Sequence, residues 1–416
     1  ITDNCYTKEG VFKEYIDPLE YLNKTHDNIL GEPLYENNSL NMSILGSRSG
    51  GKMLKINELV RVKNGWKPII DLSIGEEVYG SDGKLCKIIN KSIPEVSEFY
   101  KITLRDGRTI EACKDHQWKV WDKNKNKNNN NKSSKQNYTV ISTKDIYDKY
   151  YLNRLNSKRN LTNQPLKVKE YNKALPTALP INESKINTNK YLPPYFIGLL
   201  LGDGCLTSKN IMLESMDEEI LSYAEQVCKR YKWKYSILLH TEKKSKTLKI
   251  SYNNTNTLNN YLKELGLLGT NSKTKFIPDI YKYSSYEDKM ELIRGLMDTD
   301  GFSDKSHIEY MTVSDKLSND FLEVVRSCGI NCRHTTKETY YKNKEGIKID
   351  CSLANRITLY TNKKIFNLER KQHFVNNRKG NKIASRYNKT FIVNVEKVSD
   401  QLGVCIAVDS YDNTYI

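Results

Sequence analysis

Two aspartates occupy matching positions in an internal repeat of this sequence. Asp203 follows the apolar segment 196–202, Asp300 follows the segment 293–299, and a glycine comes directly after each acid. If the two copies pack together, the carboxylates lie at close quarters and repel each other unless a divalent cation lies between them. Hard oxygen ligands favour Mg²⁺, and a magnesium centre can activate water and stabilise the departing oxygen of a phosphodiester. The repeat therefore predicts metal-dependent phosphodiester hydrolysis.

The segments before the two acids are predicted to be helices that position them. Gly198 and Gly202 fall on one face of the first helix, and Gly295 lies in the corresponding stretch of the second. Small residues on a helix face let two backbones approach closely, which would bring both acids out at one end. The glycine after each acid is expected to cap its helix in the left-handed conformation. A buried helix followed by an Asp-Gly turn would explain one copy, but two copies favour a paired site.

The composition indicates a polyanionic partner. The chain has 416 residues, enough for two or three domains, and its 66 Lys+Arg against 50 Asp+Glu give a net charge of +16. Clustered basic side chains displace counterions from phosphates. No run of apolar residues is long enough to span a membrane, so no membrane partner is expected. The nine cysteines form no Cys-x-x-Cys pair, which indicates a reducing compartment, the cytoplasm (of the host cell if a phage encodes the chain).

The sequence pattern changes along the chain. Residues 53–121 alternate short apolar and polar runs with turn signals, which is typical of an all-β unit. A Lys/Asn-rich tract at 122–132 predicts a disordered loop or linker. Residues 191–380 mix amphipathic helices with strands and contain both acidic motifs, and residues 391–416 return to β character. An all-β unit is therefore expected to be interrupted by a mixed α and β unit.

The two acidic motifs resemble those of the LAGLIDADG homing endonucleases, and the resemblance covers residues 191–380. It implies an α+β fold of two αββαββα halves related by a pseudo-twofold axis, whose sheets form a saddle over the DNA major groove. The last acid of each motif binds the metal in that family, which maps to Asp203 and Asp300, with Gly202 and Thr299 before them as further ligands. Asp298 matches an earlier acid that the first copy lacks. The implied partner is double-stranded DNA, bound at a long asymmetric site by a monomer.

One lysine is also carried over from this resemblance. Lys275 opens the stretch Lys275-Phe-Ile-Pro278, which looks like the family's Lys-x-Ile-Pro block. The resemblance implies that Lys275 aids water activation or stabilises the phosphate, and the alternative is a solvated loop lysine. For a counterpart in the second copy, Lys371 and Lys379 are candidates only.

The flanking β segments resemble an intein splicing domain. Residues 65–78 are similar to its start, residues 107–118 to its histidine block, and residues 403–409 to its late strand. The implied fold is the all-β Hint horseshoe, closed by both ends of the chain and interrupted by the endonuclease. Met53 stands where most inteins have a Cys or Ser nucleophile, and a thioether cannot be acylated and released. Class 3 inteins instead use a cysteine in the late strand.

The class 3 resemblance assigns roles to three residues. Trp118 follows the block histidine His116 by two residues, and Cys405 precedes Ile-Ala-Val-Asp. The resemblance implies that the Cys405 thiolate attacks the Lys52–Met53 carbonyl and forms a branched thioester. His116 would polarise the scissile amide or protonate its leaving nitrogen, and Trp118 would pack and orient the site. Cys405 is otherwise a buried strand cysteine.

A supporting residue departs from the splicing pattern. Many inteins have a threonine three residues before the block histidine, where Cys113 stands in this chain. The sequence leaves open whether the thiol makes the hydrogen bond expected of the threonine.

A glycine-rich loop precedes the intein-like region. Gly46, Gly51 and Lys52 fit the phosphate-binding pattern G-x4-G-K, but Met53 stands where a P-loop needs a Ser or Thr for Mg²⁺. An interruption of a host ATPase directly after Lys52 would explain both unusual features of Met53, the missing P-loop Ser or Thr and the missing splicing nucleophile. Residues 31–52 resemble the ATPase start of phage terminase large subunits, and an ordinary turn is the alternative.

The sequence thus predicts four segments. They are a host fragment ending in the P-loop (1–52), the first part of the Hint domain with its Lys/Asn-rich loop (53–165), the endonuclease (190–380) and a truncated second part of the Hint domain (385–416). The predicted function is an intein-encoded, Mg²⁺-dependent endonuclease that cuts the intein-less allele, within an autocatalytic splicing element. The alternatives are a DNA-binding splicing element with an inactive endonuclease, and a fragment of an ATP-dependent DNA-packaging terminase.

Overall fold

The computed structural model describes residues 53–122, 138–152, 173–188, 190–241, 244–251, 257–342, 348–350, 352–377 and 387–416. The chain divides into two compact units, Ile1–Pro176 with Lys389–Ile416, and Thr177–Asn388. The predicted P-loop residues Gly46, Gly51 and Lys52 lie outside the described residues, as does Lys379, and so does the Lys/Asn-rich tract except for its first residue. Among the residues described, no helix is long and apolar enough to cross a membrane.

The first unit is built almost entirely from strands. They are β1 (Leu54–Lys55), β2 (Leu59–Val62), β3 (Gly65–Pro68), β4 (Glu77–Tyr79), β5 (Leu85–Lys91), β6 (Glu95–Ser97), β7 (Phe99–Leu104), β8 (Thr109–Cys113), β9 (Gln117–Asp122), β10 (Tyr138–Ser142) and β11 (Lys173–Pro176), with β22 (Lys389–Lys397), β23 (Gln401–Val404) and β24 (Ile406–Val408) from the far end of the chain. A helical turn α1 (Thr143–Ile146) follows β10, a π-helix (Tyr147–Leu152) continues it, and a 3-10 turn (Ile69–Asp71) follows β3.

Two antiparallel sheets join both ends of the described chain in this unit. Nine strands run in the order β10-β9-β11-β22-β7-β8-β1-β23-β6, and five run in the order β24-β5-β4-β2-β3. The first described strand, β1, pairs with β23, and β24 pairs with β5. Strand β5 alternates exposed and buried residues, as one covered sheet face requires. The predicted all-β unit, closed by both ends of the chain, is confirmed.

The second unit repeats one arrangement twice. The first copy contains α2 (Pro194–Asp203), β12 (Gly204–Cys205), β13 (Ile211–Ser215), α3 (Glu218–Arg230), β14 (Tyr235–Leu239), β15 (Lys246–Ile250) and α4 (Thr257–Glu264). A short helix α5 (Asp279–Lys282) leads to the second copy: α6 (Tyr286–Asp300), β16 (Gly301–Ser303), β17 (Ile308–Thr312), α7 (Asp315–Ser327), β18 (Asn331–Lys337), β21 (Ala354–Tyr360) and α8 (Glu369–Asn376), with a hairpin β19 (Tyr340–Lys342) and β20 (Lys348–Asp350) inserted before β21.

The two copies have the same sheet topology. The strand orders are β12-β13-β15-β14 and β16-β17-β21-β18, so each sheet places equivalent strands in equivalent positions. Helix α2 is buried from Pro194 to Leu201 because its side chains are apolar on every face. Helices α3 and α7 each bury one apolar stripe, and one hydrophobic core runs through both copies. The predicted pair of αββαββα halves is confirmed.

The helices α2 and α6 cross at glycines, as the sequence predicts. A Cβ atom added to Gly198 would lie 2.5 Å from the Leu292 carbonyl oxygen and 2.8 Å from the Gly295 Cα. Only hydrogen fits at this crossing, because real Cβ atoms do not approach backbone so closely. The backbones therefore meet directly, and the helix ends that carry the acids leave the crossing side by side.

The prediction of left-handed caps is wrong. Gly204 has φ −78° and Gly301 has φ −84°, and both are extended residues that begin a strand. Glycine is required there for a different reason: a Cβ at Gly204 would lie 2.3 Å from the Leu200 carbonyl oxygen, and a Cβ at Gly301 would lie 2.3 Å from that of Met297. The chain turns so tightly from helix to strand that a side chain would collide with the last helical turn.

Candidate active sites

The two predicted acids end the paired helices α2 and α6. The Asp300 side chain is open to solvent, but partial desolvation by the surrounding protein together with the nearby charge of Asp203 raises its pKa to about 7. Partial desolvation likewise raises the pKa of Asp203. Lys275 and Lys371 oppose both shifts because their positive charges favour the ionised carboxylates. The structure therefore brings the two predicted acids together in one partly desolvated site.

Lys275 is a buried side chain, and the alternative of a solvated loop lysine is wrong. Its ammonium donates hydrogen bonds to the carbonyl oxygens of Leu200 at 3.1 Å, Gly202 at 2.9 Å and Gly204 at 2.7 Å. Carbonyl groups at the C-terminal end of a helix have no partner within the helix, and they carry partial negative charge. Burial lowers the pKa of Lys275, and Asp300 and Asp203 act in the opposite direction.

Lys371 makes the same contacts in the second copy. Its ammonium donates to the carbonyl oxygens of Met297 at 3.1 Å, Asp298 at 2.7 Å, Thr299 at 3.3 Å and Gly301 at 2.7 Å. The sequence left Lys371 only as a candidate because the Lys-x-Ile-Pro block is not repeated around it. A usable signal was its spacing, since Lys371 follows its motif acid by nearly the same distance as Lys275 does.

The oxygen atoms at this site suit a hard divalent cation. The charge of Asp203 raises the pKa of Asp300, and a cation between the two carboxylates would remove that repulsion. The carbonyl oxygens of Gly202 and Thr299 each accept one lysine hydrogen bond, and a carbonyl oxygen has a second lone pair. Among the residues described, no cluster of three or more His, Cys, Asp or Glu side chains offers an alternative metal site. The donor set therefore fits Mg²⁺.

Asp298, the earlier motif acid of the second copy, has a structural role. Its buried carboxylate accepts a hydrogen bond from the Tyr195 hydroxyl at 2.7 Å and others from the backbone N–H groups of Asn367 and Leu368. These bonds satisfy the carboxylate and tie α6 to the start of α8. The first copy has Leu201 at this place, which explains why only the terminal acids occur twice.

In the first unit, Cys405 lies beside Met53. Leu54 of β1 pairs with Val404, which places Met53 and Cys405 at the same level of the two strands. Cys405 packs against a buried cluster of Met53, Phe99 and Cys113. Its backbone N–H donates to the Ser92 hydroxyl at 3.0 Å. The fold therefore brings the predicted nucleophile next to the predicted first residue of the splicing element.

His116 and Trp118 lie next to each other in the same unit. Their ring centroids are 4.6 Å apart, and the Trp118 indole N–H donates to the Thr143 hydroxyl at 2.8 Å. Thr143 in turn donates its backbone N–H to the His116 carbonyl oxygen at 2.9 Å. Trp118 is thus fixed by α1 and packs against the imidazole, which agrees with an orienting role.

The hydrogen bond that the sequence left open is made by Cys113. The Met53 backbone N–H donates to the Cys113 Sγ at 3.1 Å, and the Cys113 N–H donates to the Met53 carbonyl oxygen at 2.9 Å. Burial raises the pKa of the Cys113 thiol, so the acceptor is a neutral thiol near neutral pH. The cysteine thus contacts the nitrogen of the predicted scissile amide.

Comparison with known proteins finds similar inteins and similar homing endonucleases. No protein-family model matches the chain. The chain is 26% identical over 384 residues to the replicative DNA helicase DnaB of Mycobacterium intracellulare, and the match covers 90% of this chain but only 58% of the helicase.

Among solved structures, the MchDnaB-1 intein is 26% identical over 16% of this chain and 52% of its own, with a TM-score of 0.16. Mesophilic variants of the homing endonuclease I-DmoI match at 13% identity over 44% of this chain and 92% of theirs, with a TM-score of 0.28. I-DmoI in complex with DNA and Ca matches at 12% identity over 40% and 81%, also with a TM-score of 0.28.

These solved structures are an intein and a homing endonuclease, the two kinds of protein that the motifs resemble. Because these TM-scores are low, the fold assignment depends on the sheet topology of the chain itself. None of these relatives is a terminase, and the terminase resemblance stays a prediction.

Proposed function

We propose that this chain is a protein-splicing element that carries a DNA endonuclease, and that the endonuclease makes metal-dependent double-strand breaks at the uninterrupted host allele. One observation carries the proposal: two aspartates meet at the ends of paired helices, and each helix end is held by a buried lysine. A DNA duplex presents two antiparallel strands, which suits two pseudo-symmetric half-sites. The net charge of +16 supports a phosphate-rich partner.

The proposed hydrolysis assigns a task to each side chain. Asp203 and Asp300 would hold Mg²⁺, with the carbonyl oxygens of Gly202 and Thr299 as further ligands. The bound cation would supply Lewis-acid stabilisation of negative charge on the scissile phosphate. The two buried lysines fix the carbonyl groups of each motif, and their charges oppose the rise in the pKa of both aspartates, which favours the ionised form that binds the metal. Overall, a water oxygen bonds to phosphorus, one P–O bond to the sugar breaks, and the departing oxygen gains a proton.

A cleavage assay separates this proposal from its main alternative, a DNA-binding splicing element with an inactive endonuclease. The purified chain is incubated with duplex DNA that spans the uninterrupted insertion site, with Mg²⁺ or with EDTA. Double-strand cuts only with Mg²⁺ are expected. DNA binding without cutting would support the alternative.

Splicing is proposed to begin at Cys405. Its thiolate would attack the carbonyl carbon of Lys52, the C–N bond to Met53 would break, and the Met53 nitrogen would leave with a proton, aided by His116. The strand pairing that sets Cys405 beside Met53 supports this step. In a precursor that includes the downstream host sequence, Cys405→Ala is expected to abolish the branched intermediate, seen as a slowly migrating band, and to leave DNA cleavage intact.

The host protein is proposed to be an ATPase interrupted after Lys52. The chain spans 58% of a replicative DNA helicase, while residues 31–52 resemble a terminase start, so both kinds of host are candidates. Reading the gene beyond Ile416 decides between them. A Ser or Thr codon after the element, followed by helicase-like or terminase-like sequence, is expected. The absence of any such codon would contradict the splicing proposal.

A further inference from the structure

A paired ion bridge connects the two halves of the endonuclease unit. Arg370 lies in the first turn of α8 in the second copy, and Asp217 precedes α3 in the first copy. The Arg370 Nε donates to the Asp217 Oδ1 at 2.8 Å, and its Nη2 donates to the Oδ2 at 2.7 Å. Such a two-point contact fixes direction as well as distance, because the guanidinium and carboxylate planes must match.

The position of Asp217 makes this contact unexpected. Asp is a preferred N-cap residue, and Asp217 is the N-cap of α3, yet its side chain caps no backbone N–H of that helix. Ser314 is the equivalent residue in the second copy, and its hydroxyl does cap, accepting from the Leu317 N–H at 3.1 Å. The carboxylate of Asp217 is thus directed to Arg370 instead of its own helix.

The two N-cap residues share a second property. The Ser314 hydroxyl also donates to the Lys275 carbonyl oxygen at 2.6 Å, so it holds the lysine of the opposite copy. Asp217 holds Arg370, the residue directly before Lys371. Lys275 is therefore bound directly to the N-cap residue of the other copy, and Lys371 is connected to one through its neighbour Arg370. One attachment is a buried hydrogen bond, whereas the other is an ion pair with an Arg370 side chain that is 58% exposed.

Two hydrogen bonds at the start of α8 stay within the second copy. The Asp298 carboxylate accepts from the Leu368 N–H at 3.2 Å, and the Ser303 hydroxyl donates to the Lys371 carbonyl oxygen at 2.7 Å. These bonds hold α8 to its own motif but do not fix it against the first copy. The charge of Lys371 nevertheless acts on Asp203 in the first copy. The bridge from Arg370 is a charged contact that reaches from α8 to the first copy.

We propose that the Arg370–Asp217 bridge positions Lys371 near the paired acids and thereby sets the cutting rate of one DNA strand. The inference rests on the proposed endonuclease function. Lys275 and Lys371 are bound to different motifs, so each serves a different strand of the duplex. Loss of the bridge lets Lys371 move and leaves Lys275 in place. The cutting rate is therefore lowered for one strand only. Arg370 is thus a positioning residue that acts through Lys371.

The test measures the cutting of each strand separately. Duplex DNA with the uninterrupted site is labelled on one strand or the other and cut at saturating full-length protein with Mg²⁺. The variants are R370Q, D217N and the double variant R370Q/D217N. The control is E218Q, which removes the neighbouring carboxylate that pairs with Lys246 within the first copy.

The expected result is selective. R370Q and D217N lower the cutting rate of one strand about 3- to 10-fold, and nicked DNA accumulates. The affected strand is the same one that is cut more slowly by Lys371→Met. The double variant is no slower than either single variant, because one interaction is lost in each case. R370K keeps the positive charge but cannot make the two-point contact of a guanidinium, so its rate of cutting that strand lies between those of R370Q and the wild type. E218Q cuts both strands at the wild-type ratio.

Two results would overturn the positioning role of the bridge, and a third would also overturn the proposed endonuclease function. Equal slowing of both strands would mean that the bridge has only a general structural role. Additive losses in the double variant would mean that Arg370 and Asp217 act separately. A wild-type chain that binds this DNA and cuts neither strand would contradict the proposed endonuclease function itself, and the positioning role with it.

Discussion

Replacement of Gly295 by alanine tests the helix crossing that brings the two acids together. A Cβ atom at this position would lie 2.4 Å from the Tyr195 carbonyl oxygen, 2.8 Å from the Gly198 Cα and 2.9 Å from the Leu199 nitrogen. All three neighbours are backbone atoms of α2, so no rotamer change can relieve the contact. Helices α2 and α6 must move apart by several tenths of an ångström or more.

Two opposing free-energy terms decide the sign of the effect. Alanine in place of glycine in a helix interior usually stabilises by about 0.5–1 kcal/mol. Overpacking of a close-packed core usually costs about 1–3 kcal/mol. Because the collisions of Gly295→Ala involve backbone on both sides, overpacking outweighs helix propensity. The net loss expected is about 1–2 kcal/mol, or a melting temperature lower by about 2–8 °C for a unit of this size.

Calorimetry of the full chain measures this loss as a lower melting temperature for the transition of the endonuclease unit. Gly65→Ala is the control, because a Cβ there has no neighbour within 4 Å and the φ angle is not positive. DNA cleavage by Gly295→Ala is also expected to fall, since separation of the helices separates the two aspartates. A variant as stable as the wild type, or more stable, would refute the direct backbone contact.

Three further predictions concern the chemistry of the sites. In a strand-specific nicking assay, Lys371→Met should lower the cutting rate of one DNA strand and Lys275→Met that of the other. If both variants affect the same strand, the pairing of each lysine with one motif is contradicted. Cys113→Ala should slow branched thioester formation about tenfold in a complete precursor, because the Met53 N–H loses its acceptor; an unchanged rate on denaturing gels would exclude this role. Partial desolvation and the charge of Asp203 raise the pKa of Asp300 to about 7, so the folded metal-free chain holds a proton that the unfolded chain releases near pH 4. The free energy of unfolding in EDTA should therefore fall as pH rises from about 4 to 7, and urea titrations that show the same fall in Asp300→Asn would contradict that assignment.

The repeated motif was sufficient to predict much of the endonuclease unit. The glycines on each helix face permit a close crossing, and a close crossing leaves the two terminal acids together. The same reasoning failed for Gly204 and Gly301, because glycine relieves a collision there and is not needed for a positive φ. Sequence alone does not distinguish these two uses of glycine.

Contacts between distant residues could not be predicted. Lys371 reaches the second motif from a segment without the block that identified Lys275, so its spacing from Asp300 was the one sequence signal for the contacts that the folded chain shows. The bond from Met53 to Cys113 depends on the pairing of β1 with β8. Asp217 is recognisable in the sequence as an N-cap residue, but its side chain is used in a bridge to the other copy.

The paired-aspartate site is tested most directly by single-turnover cleavage of duplex DNA spanning the uninterrupted insertion site. Wild type, Asp203→Asn and Asp300→Asn are compared in Mg²⁺, with Glu219→Gln on the exposed face of α3 as a control for lost negative charge. We expect Mg²⁺-dependent double-strand cuts by the wild type and the control, and a loss of cutting rate on the order of 10³-fold or more in each aspartate variant. Cutting at the wild-type rate by either aspartate variant, or wild-type cutting in EDTA, would contradict this expectation.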